Sequence, residues 1–440
     1  MKLVTIIGGG LAGLSAAVFL HKKGYKVQLF ESSPKFGGRA YSFYEREKNL
    51  YFDNGQHILA GWYHSTFEFL QYIGSFDRLD FQAKLEVNFY DTNKNSFNLK
   101  TFNLPAPFNL LLGLLNFKAL NSSDKRAVFK IYKIFTAKDL DKEANTASLL
   151  RKLEQTPNLI KYFWEPFILA VFNSKPENIS AKIFLDILKR GFSQKAFSNL
   201  VIPKVNLNEL FIDNTVKYFQ ENGIRHSTAE KISKLHIKEN KIQFAETETG
   251  EQIFSDYFVS AVPFFRFKDL FDINDYNQYF ESVGELKPSS IISVHLFFEN
   301  DIPDNLLKKN SFGMTGLIGT KVQWIFKRNS RHLSLVISAS DFLDKLTEKS
   351  NEEIYKICID ELSRCLNGFN NLVINDYKII KEKRATFLPD NVSDNKRPEQ
   401  KTQIKNFFIA GDWTKTGLPA TIESAIRSSK IVSNNFPRYF

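Results

Sequence analysis

Three glycines near the amino terminus restrict this chain more than any other feature of it. Leu3 to Ile7 is a short β-branched apolar run, Gly8-Gly9-Gly10-Leu11-Ala12-Gly13 follows, and Leu14 to Lys23 reads as a helix stopped by Gly24. A second apolar run, Lys26 to Phe30, ends in Glu31. Strand, glycine turn, helix and strand within about 30 residues make a βαβ unit. In Gly8-x-Gly10-x-x-Gly13 each glycine then has a task. Gly8 permits the tight turn, Gly10 lets a pyrophosphate approach the backbone, and Gly13 lets helix and strand pack closely; Leu11 and Ala12 open the helix whose N-terminus faces the phosphates. Glu31, at the end of the second strand, is placed to accept from ribose hydroxyls. Met1-Lys2 before an apolar run superficially suggests a signal peptide, but cleavage there would destroy the whole unit.

A second cluster separates FAD from NAD. Gly37-Gly38-Arg39 comes shortly after Glu31-Ser32-Ser33-Pro34, with Lys35 and Phe36 between; the glycines bring the backbone close, and the planar arginine fork can pair with pyrophosphate. Near the other end, Phe407 to Ala410 reads as a strand running into Gly411-Asp412-Trp413-Thr414, and Pro419-Ala420 precedes a helix over 421–433. This closure resembles that of FAD enzymes, in which an acid, here Asp412, holds ribityl hydroxyls. A helix N-terminus, here at Ala420 and Thr421, then faces the isoalloxazine. The seven histidines show no ligand spacing with Cys or carboxylates, so no metal site is expected.

With 440 residues the chain is long enough for two or three structural units. The expected class is α/β: a Rossmann-like FAD-binding domain of glutathione-reductase type, with an inserted α+β substrate-binding domain. The expected FAD-binding domain is discontinuous, over 1–75, 201–265 and 385–440. The substrate-binding domain is expected over 76–200, mostly helical from about 105, and over 266–384, where Ile291 to Phe298, Val322 to Phe326 and Leu333 to Ser338 carry strand patterns. Between them, Ile224 to Pro263 reads as short strands with turns at Lys238-Glu239-Asn240 and Glu248-Thr249-Gly250.

Hydrophobic residues at 43% and charged residues at 24% exclude disordered, collagen-like and disulfide-scaffold classes. Net charge is +11, yet the lysines are scattered and no finger spacing occurs, so nucleic acid is not an expected partner; an anionic membrane surface stays open. Cys358 and Cys365 fall in a helical run over 351–366, about 10 Å apart along the axis. That is too far for a disulfide, and a reducing, cytoplasmic compartment is expected. No run reaches the ~18 apolar residues of a span. Leu104 to Phe117, followed by Lys118, Lys125 and Arg126, is either a buried helix or a segment that sits peripherally on an anionic leaflet. Phenylalanine occurs 43 times, which fits ordinary core positions or a lining for an apolar substrate.

The Gly8–Glu31 unit, Gly37-Gly38-Arg39 and the Gly411-Asp412 closure together resemble the flavin amine oxidase and phytoene desaturase superfamily. The likeness narrows at Asp53-Asn54-Gly55-Gln56-His57-Ile58-Leu59, Trp164-Glu165-Pro166-Phe167, Gln323-Trp324-Ile325-Phe326, Arg384-Ala385-Thr386-Phe387 and Thr416-Gly417-Leu418-Pro419-Ala420-Thr421-Ile422-Glu423. These resemble the hydroxysqualene dehydroxylases, over nearly the whole chain. The resemblance implies an enzyme that replaces the allylic hydroxyl of a triterpene substrate, hydroxysqualene, with hydride from reduced FAD, giving squalene. The alternative is a desaturase of a carotenoid precursor or another polyisoprenoid, with electrons flowing out of the substrate. A binding module of the same fold without redox chemistry would not need the intact glycines, Arg39 and Asp412.

By the same resemblance Gly55 and Gln56 pass the flavin, and Ile232 occupies the strand position whose backbone contacts adenine. His57 either donates a proton near the leaving hydroxyl or only hydrogen-bonds backbone or cofactor. Asp53 is either a site acid or a turn former. Glu165 is either a buried acid with a raised pKa or a helix-start carboxylate beside Pro166. Trp164, Trp324 and Phe326 are candidates for the substrate cavity; Trp324 and Phe326 alternate along a strand, so they share a face, in core or cavity.

Overall fold

Leu3–Ile7 is apolar on both faces, and such a strand must be covered on both. In the computed structural model, which describes residues 1–136, 139–308 and 313–437, it lies at the centre of a five-stranded sheet. Lys26–Phe30 and Tyr257–Ser260 pair with it in parallel, and Arg225–Ser227 and Phe407–Ile409 form the edges, also in parallel. One sheet face is covered by the Leu11–Lys22 and Ile422–Asn435 helices, which pack on each other. The other face meets a small antiparallel sheet through Ile7, Phe30, Ile232, Ala245 and Phe258. Its Ile232–Lys238 and Lys241–Thr247 strands turn through Glu239 and Asn240 at φ 52° and 57°, the left-handed pair that a two-residue hairpin requires.

The first helix starts at Leu11, not Leu14, because Gly10 is its N-cap in extended geometry and Gly13 therefore lies inside it. A Cβ on Gly13 would stand 1.8 Å from the Gly8 carbonyl oxygen, so only glycine lets the helix come this close to the strand. Gly8 itself sits at φ +104°.

The second body is a seven-stranded sheet, in the order Ile374–Phe387, Pro288–Phe298, His332–Ser338, Trp324–Asn329, Met314–Ile318, Glu86–Asp91 and Ser96–Lys100. Helices over 108–191 cover one face, and Asn351–Cys365 the other. The mixed α/β class is therefore as expected. Both cysteines of the Asn351–Cys365 helix are buried and free. Among the described residues no helix is long and apolar enough to cross a membrane, and no His, Cys, Asp and Glu cluster could hold a metal. Much of the phenylalanine excess is core: Phe267, Phe271, Phe280 and Phe407 pack on one another, and Phe267 also packs on Trp413.

Candidate active site

The glycine turn forms an open cradle. A Cβ on Gly10 would meet only the Gly38 Cα, at 3.9 Å, and Gly10 and Gly37 are joined by a backbone bridge. No side chain caps the Leu11–Lys22 helix and no acid lies in its first turn, so its N-terminal amides keep their pull on an anion. Glu31 closes the far side of the turn: Oε2 accepts from the Gly9 N–H at 2.5 Å and Oε1 from the Ser33 N–H at 2.7 Å. The Ala229 and Glu230 amides bond the Ser33 and Glu31 carbonyls, which brings Ile232, buried at the start of its strand, close behind the acid.

Arg39 spans from this cradle to the closing segment. It donates to the Ala385 carbonyl at 2.8 Å and forms an ion pair with Asp412, whose residue is 5% exposed. Behind Asp412, the buried Arg397 donates to the carbonyls of Asp412, Trp413, Thr414 and Leu418 and to the Thr416 hydroxyl. Burial lowers its pKa to about 10. Gly411 is at φ +151°, where a Cβ would collide with Trp413 Nε1 at 2.6 Å. Thr421 caps the last helix by accepting from the Ser424 N–H at 3.1 Å, with Ala420 just ahead of it. Glu423, in the first turn of this helix, accepts from the Ser65 and Thr66 amides and so ties it to the start of His64–Tyr72. Open space at Gly10, free helix amides and an arginine held at the crossing fit an FAD.

The third part is the Asp53–His57 segment, which leaves the Leu50–Asp53 strand and crosses one face of the seven-stranded sheet. Asp53 accepts from the Ser42 hydroxyl at 2.7 Å and the Leu207 N–H at 3.2 Å, and lies 3.6 Å from Arg328. It is therefore a buried, partnered carboxylate rather than a turn former. Gln56 donates to Ser334 Oγ at 3.3 Å. His57 Nε2 is buried with no hydrogen-bond partner. Burial lowers the His57 pKa; Asp53 opposes that shift and Arg39 adds to it. Asp53, Gln56, His57 and Arg328, together with the apolar Ile58, Ile202, Pro203 and Phe326, line a small cavity.

Two candidates lie elsewhere. Trp164 is sealed among Phe163, Phe167 and Phe184 and donates to Gln155 Oε1 at 2.9 Å, so it fills the helical core instead of lining a cavity. Glu165 is exposed inside a helical run that is continuous over 157–172, directly after a π-helical stretch over 160–164 and ahead of Pro166. Its pKa is raised, chiefly by desolvation, but its charged neighbours are Lys161, Lys175 and Glu177, none of which lines the cavity. It is an exposed carboxylate in mid-helix, so neither the buried-acid nor the helix-start alternative describes it. Trp324 and Phe326 do share a face of their strand: Phe326 reaches the cavity, while Trp324 packs on Phe89 with its Nε1 buried and unpartnered.

Arg328, Arg397 and the buried histidines His295 and His332 escape a reading from sequence. Arg328 follows the Gln323–Phe326 stretch two residues on, on the same strand face, so alternation alone points to it; for Arg397 no local pattern does.

A family model for flavin containing amine oxidoreductases matches residues 11–435. Hydroxysqualene dehydroxylase of Zymomonas mobilis is 28% identical over 449 aligned positions, covering 99% of both chains. The 15-cis-phytoene desaturase of Solanum lycopersicum is 24% identical, covering 97% of this chain and 76% of that protein. Among solved structures, an oxidoreductase from Methanosarcina mazei superposes with a TM-score of 0.76 at 16% identity, over 98% of this chain and 100% of that one.

Proposed function

The chain belongs to the flavin-containing amine oxidoreductase family and is an FAD-dependent oxidoreductase, and on that premise we propose that it reductively removes the hydroxyl of hydroxysqualene to give squalene. The observation that carries this is His57 Nε2, buried without a hydrogen-bond partner near the buried Asp53 carboxylate, in a small cavity that Ile58, Ile202, Pro203 and Phe326 also line. An unpartnered nitrogen beside apolar side chains suits the hydroxyl of an apolar alcohol, and the full-length similarity to a hydroxysqualene dehydroxylase supports that reading.

Reduced FAD, when bound, supplies the hydride. Gly8, Gly10, Leu11, Ala12, Gly13 and Gly38 would hold its pyrophosphate, with Arg39 as countercharge. Glu31 and Ile232 would take the adenosine end; Asp412, Gly411, Ala420, Thr421, Gly55 and Gln56 would take the flavin end. Hydroxide is a poor leaving group, so the hydroxyl must leave as water. His57 donates that proton from Nε2, and Asp53, held by Ser42, Leu207 and Arg328, balances the charge nearby. The apolar wall keeps bulk water from the allylic cation that develops as the bond breaks. The same cavity would serve a desaturase, and direction separates the two. Anaerobically reduced protein mixed with hydroxysqualene should reoxidise and yield squalene; no reoxidation, together with reduction of the oxidised protein by a carotenoid precursor, would reverse the assignment.

A further inference from the structure

Two arginines, one from the helical layer of the second body and one from the last helix, come together without a counterion of their own. Arg190 lies in the last turn of Ala181–Gly191, and Arg427 in the middle of Ile422–Asn435. Both are half-buried, and among the described residues neither makes an ion pair. Arg427 Nε is buried with no hydrogen-bond partner. Burial lowers the Arg427 pKa, the Arg190 charge lowers it further, and Glu423 opposes the shift. Two like charges taken partly out of water are costly unless something pairs them.

The carboxylates along these helices are already engaged. Glu423, one turn before Arg427, accepts from the Ser65 and Thr66 amides and from the Thr66 hydroxyl. Glu68 holds Lys430, and Asp186, one turn before Arg190, lies beside Lys182 at 4.0 Å. Arg190 Nη2 instead reaches the 416–418 loop, 3.5 Å from the Cβ position of Gly417. That loop is fixed on both sides, because Arg397 donates to the Thr416 hydroxyl and to the Leu418 carbonyl. The pair therefore stands on rigid elements and, even with Glu423 counted, leaves one positive charge unbalanced. Planar guanidinium forks in that state suit the oxygens of a phosphate.

The surroundings point to the source of that phosphate. Trp62 Nε1 is 3.7 Å from the Cβ position of Gly191, the residue after Arg190. Farther along, Lys195 donates to Asn103 Oδ1, and Phe197 meets the His64 ring at 5.0 Å. Asn103 adjoins the exposed Phe102, and Phe108 and Leu112 are exposed on the helix that follows. Lys189, also exposed, adds a cation beside Arg190. Cations next to exposed apolar side chains suit the boundary between headgroups and acyl chains, whereas a soluble phosphate would need the cations alone. We propose that Arg190 and Arg427 bind the phosphate of an anionic lipid headgroup and so seat the helical layer and the last helix together on a membrane surface. Leu418, beside Gly417, is buried in the same apolar cluster as Phe326, so the site borders the core that reaches the cavity. The anchor stands whichever reaction the flavin performs, because its binding needs no substrate.

The test sediments FAD-loaded protein with vesicles of phosphatidylcholine, with and without phosphatidylglycerol. The wild type should bind the mixed vesicles, and Arg190→Gln with Arg427→Gln should weaken that binding about fivefold for each arginine lost. Arg190→Lys with Arg427→Lys keeps both charges but not the planar forks, and should still lose at least about fivefold. Lys238→Gln with Lys241→Gln removes two exposed charges from the hairpin on the opposite face of the five-stranded sheet and should bind like the wild type. Full binding by the lysine variant, or an equal loss in the hairpin variant, makes the attraction diffuse and overturns the site, as does a wild type that stays in the supernatant. Inorganic phosphate, titrated by calorimetry, is the free-anion probe. Micromolar binding that the glutamine pair abolishes, without binding to vesicles, would assign the site to a soluble phosphate and overturn the lipid. Because the two arginines repel one another, the glutamine pair should melt no lower than the wild type without lipid; a large fall would make the arginines structural and overturn the proposal.

Discussion

At Gly10 and Gly13 one methyl group has opposite consequences. Gly10 has room for a Cβ, so Gly10→Ala should fold with an unchanged melting point; the methyl would occupy the space a pyrophosphate needs, and FAD affinity should drop at least about tenfold, about 1.4 kcal/mol. Gly13→Ala would press on the Gly8 carbonyl, and overpacking of this kind costs about 1–3 kcal/mol, read as a lower melting point whether or not flavin is present. Arg39→Met should both lose flavin and destabilise by about 1–3 kcal/mol, because Asp412 stays behind as a buried carboxylate without its partner. Adding Asp412→Asn should restore the melting point and leave the protein colourless. These residues were legible because a short stretch of chain declares their task. Arg397 was not: its contacts lie 15 to 21 residues ahead in the chain, and its type gives no hint of burial.

Between elements, alternation decided what could be foreseen. Strands over 3–7, 26–30 and 257–260 stand where their apolar runs put them, since a strand buried on both faces needs no partner to be recognised. The Pro288–Phe298 strand was equally clear as an element, yet its polar positions Ser293 and His295 gave no sign of meeting His332 across the sheet, because register is set by tertiary pairing. That pairing has a measurable price in acid. Burial lowers His295 to about 4 and His332 to about 3, against about 6.5 in an unfolded chain. Because the folded-state values are depressed, the unfolded chain takes up protons first as pH falls. Stability should therefore be complete above pH 6.5 and decline between pH 6.5 and 4 by about 1.4 kcal/mol per pH unit for each histidine. Urea unfolding across that window should show the slope, and His295→Phe with His332→Phe should flatten it.

For the molecule as a whole, the question is how the proposed water-insoluble substrate would reach a cavity between the seven-stranded sheet and the segments at 53–58 and 202–203. The Phe108–Leu115 helix buries Leu110 and Leu114 but exposes Phe108 and Leu112, and Phe102 beside it is exposed as well. With Lys118 and Arg126 close by in the chain and exposed, this face suits a shallow, peripheral contact with an anionic leaflet. The protein should sediment with anionic liposomes at low salt and be released by high salt, and Phe108→Ser with Leu112→Ser should weaken sedimentation without lowering the melting point. Unchanged sedimentation of that variant would remove the surface from the account. The central claim concerns the reaction, and it is tested most directly by following one atom. FAD-loaded protein is reduced and mixed with hydroxysqualene anaerobically in D2O, where hydride held on reduced flavin exchanges with solvent. Squalene carrying one deuterium, at the carbon that bore the hydroxyl, is the expected product; recovered alcohol with the flavin still reduced, or squalene without deuterium, would contradict it.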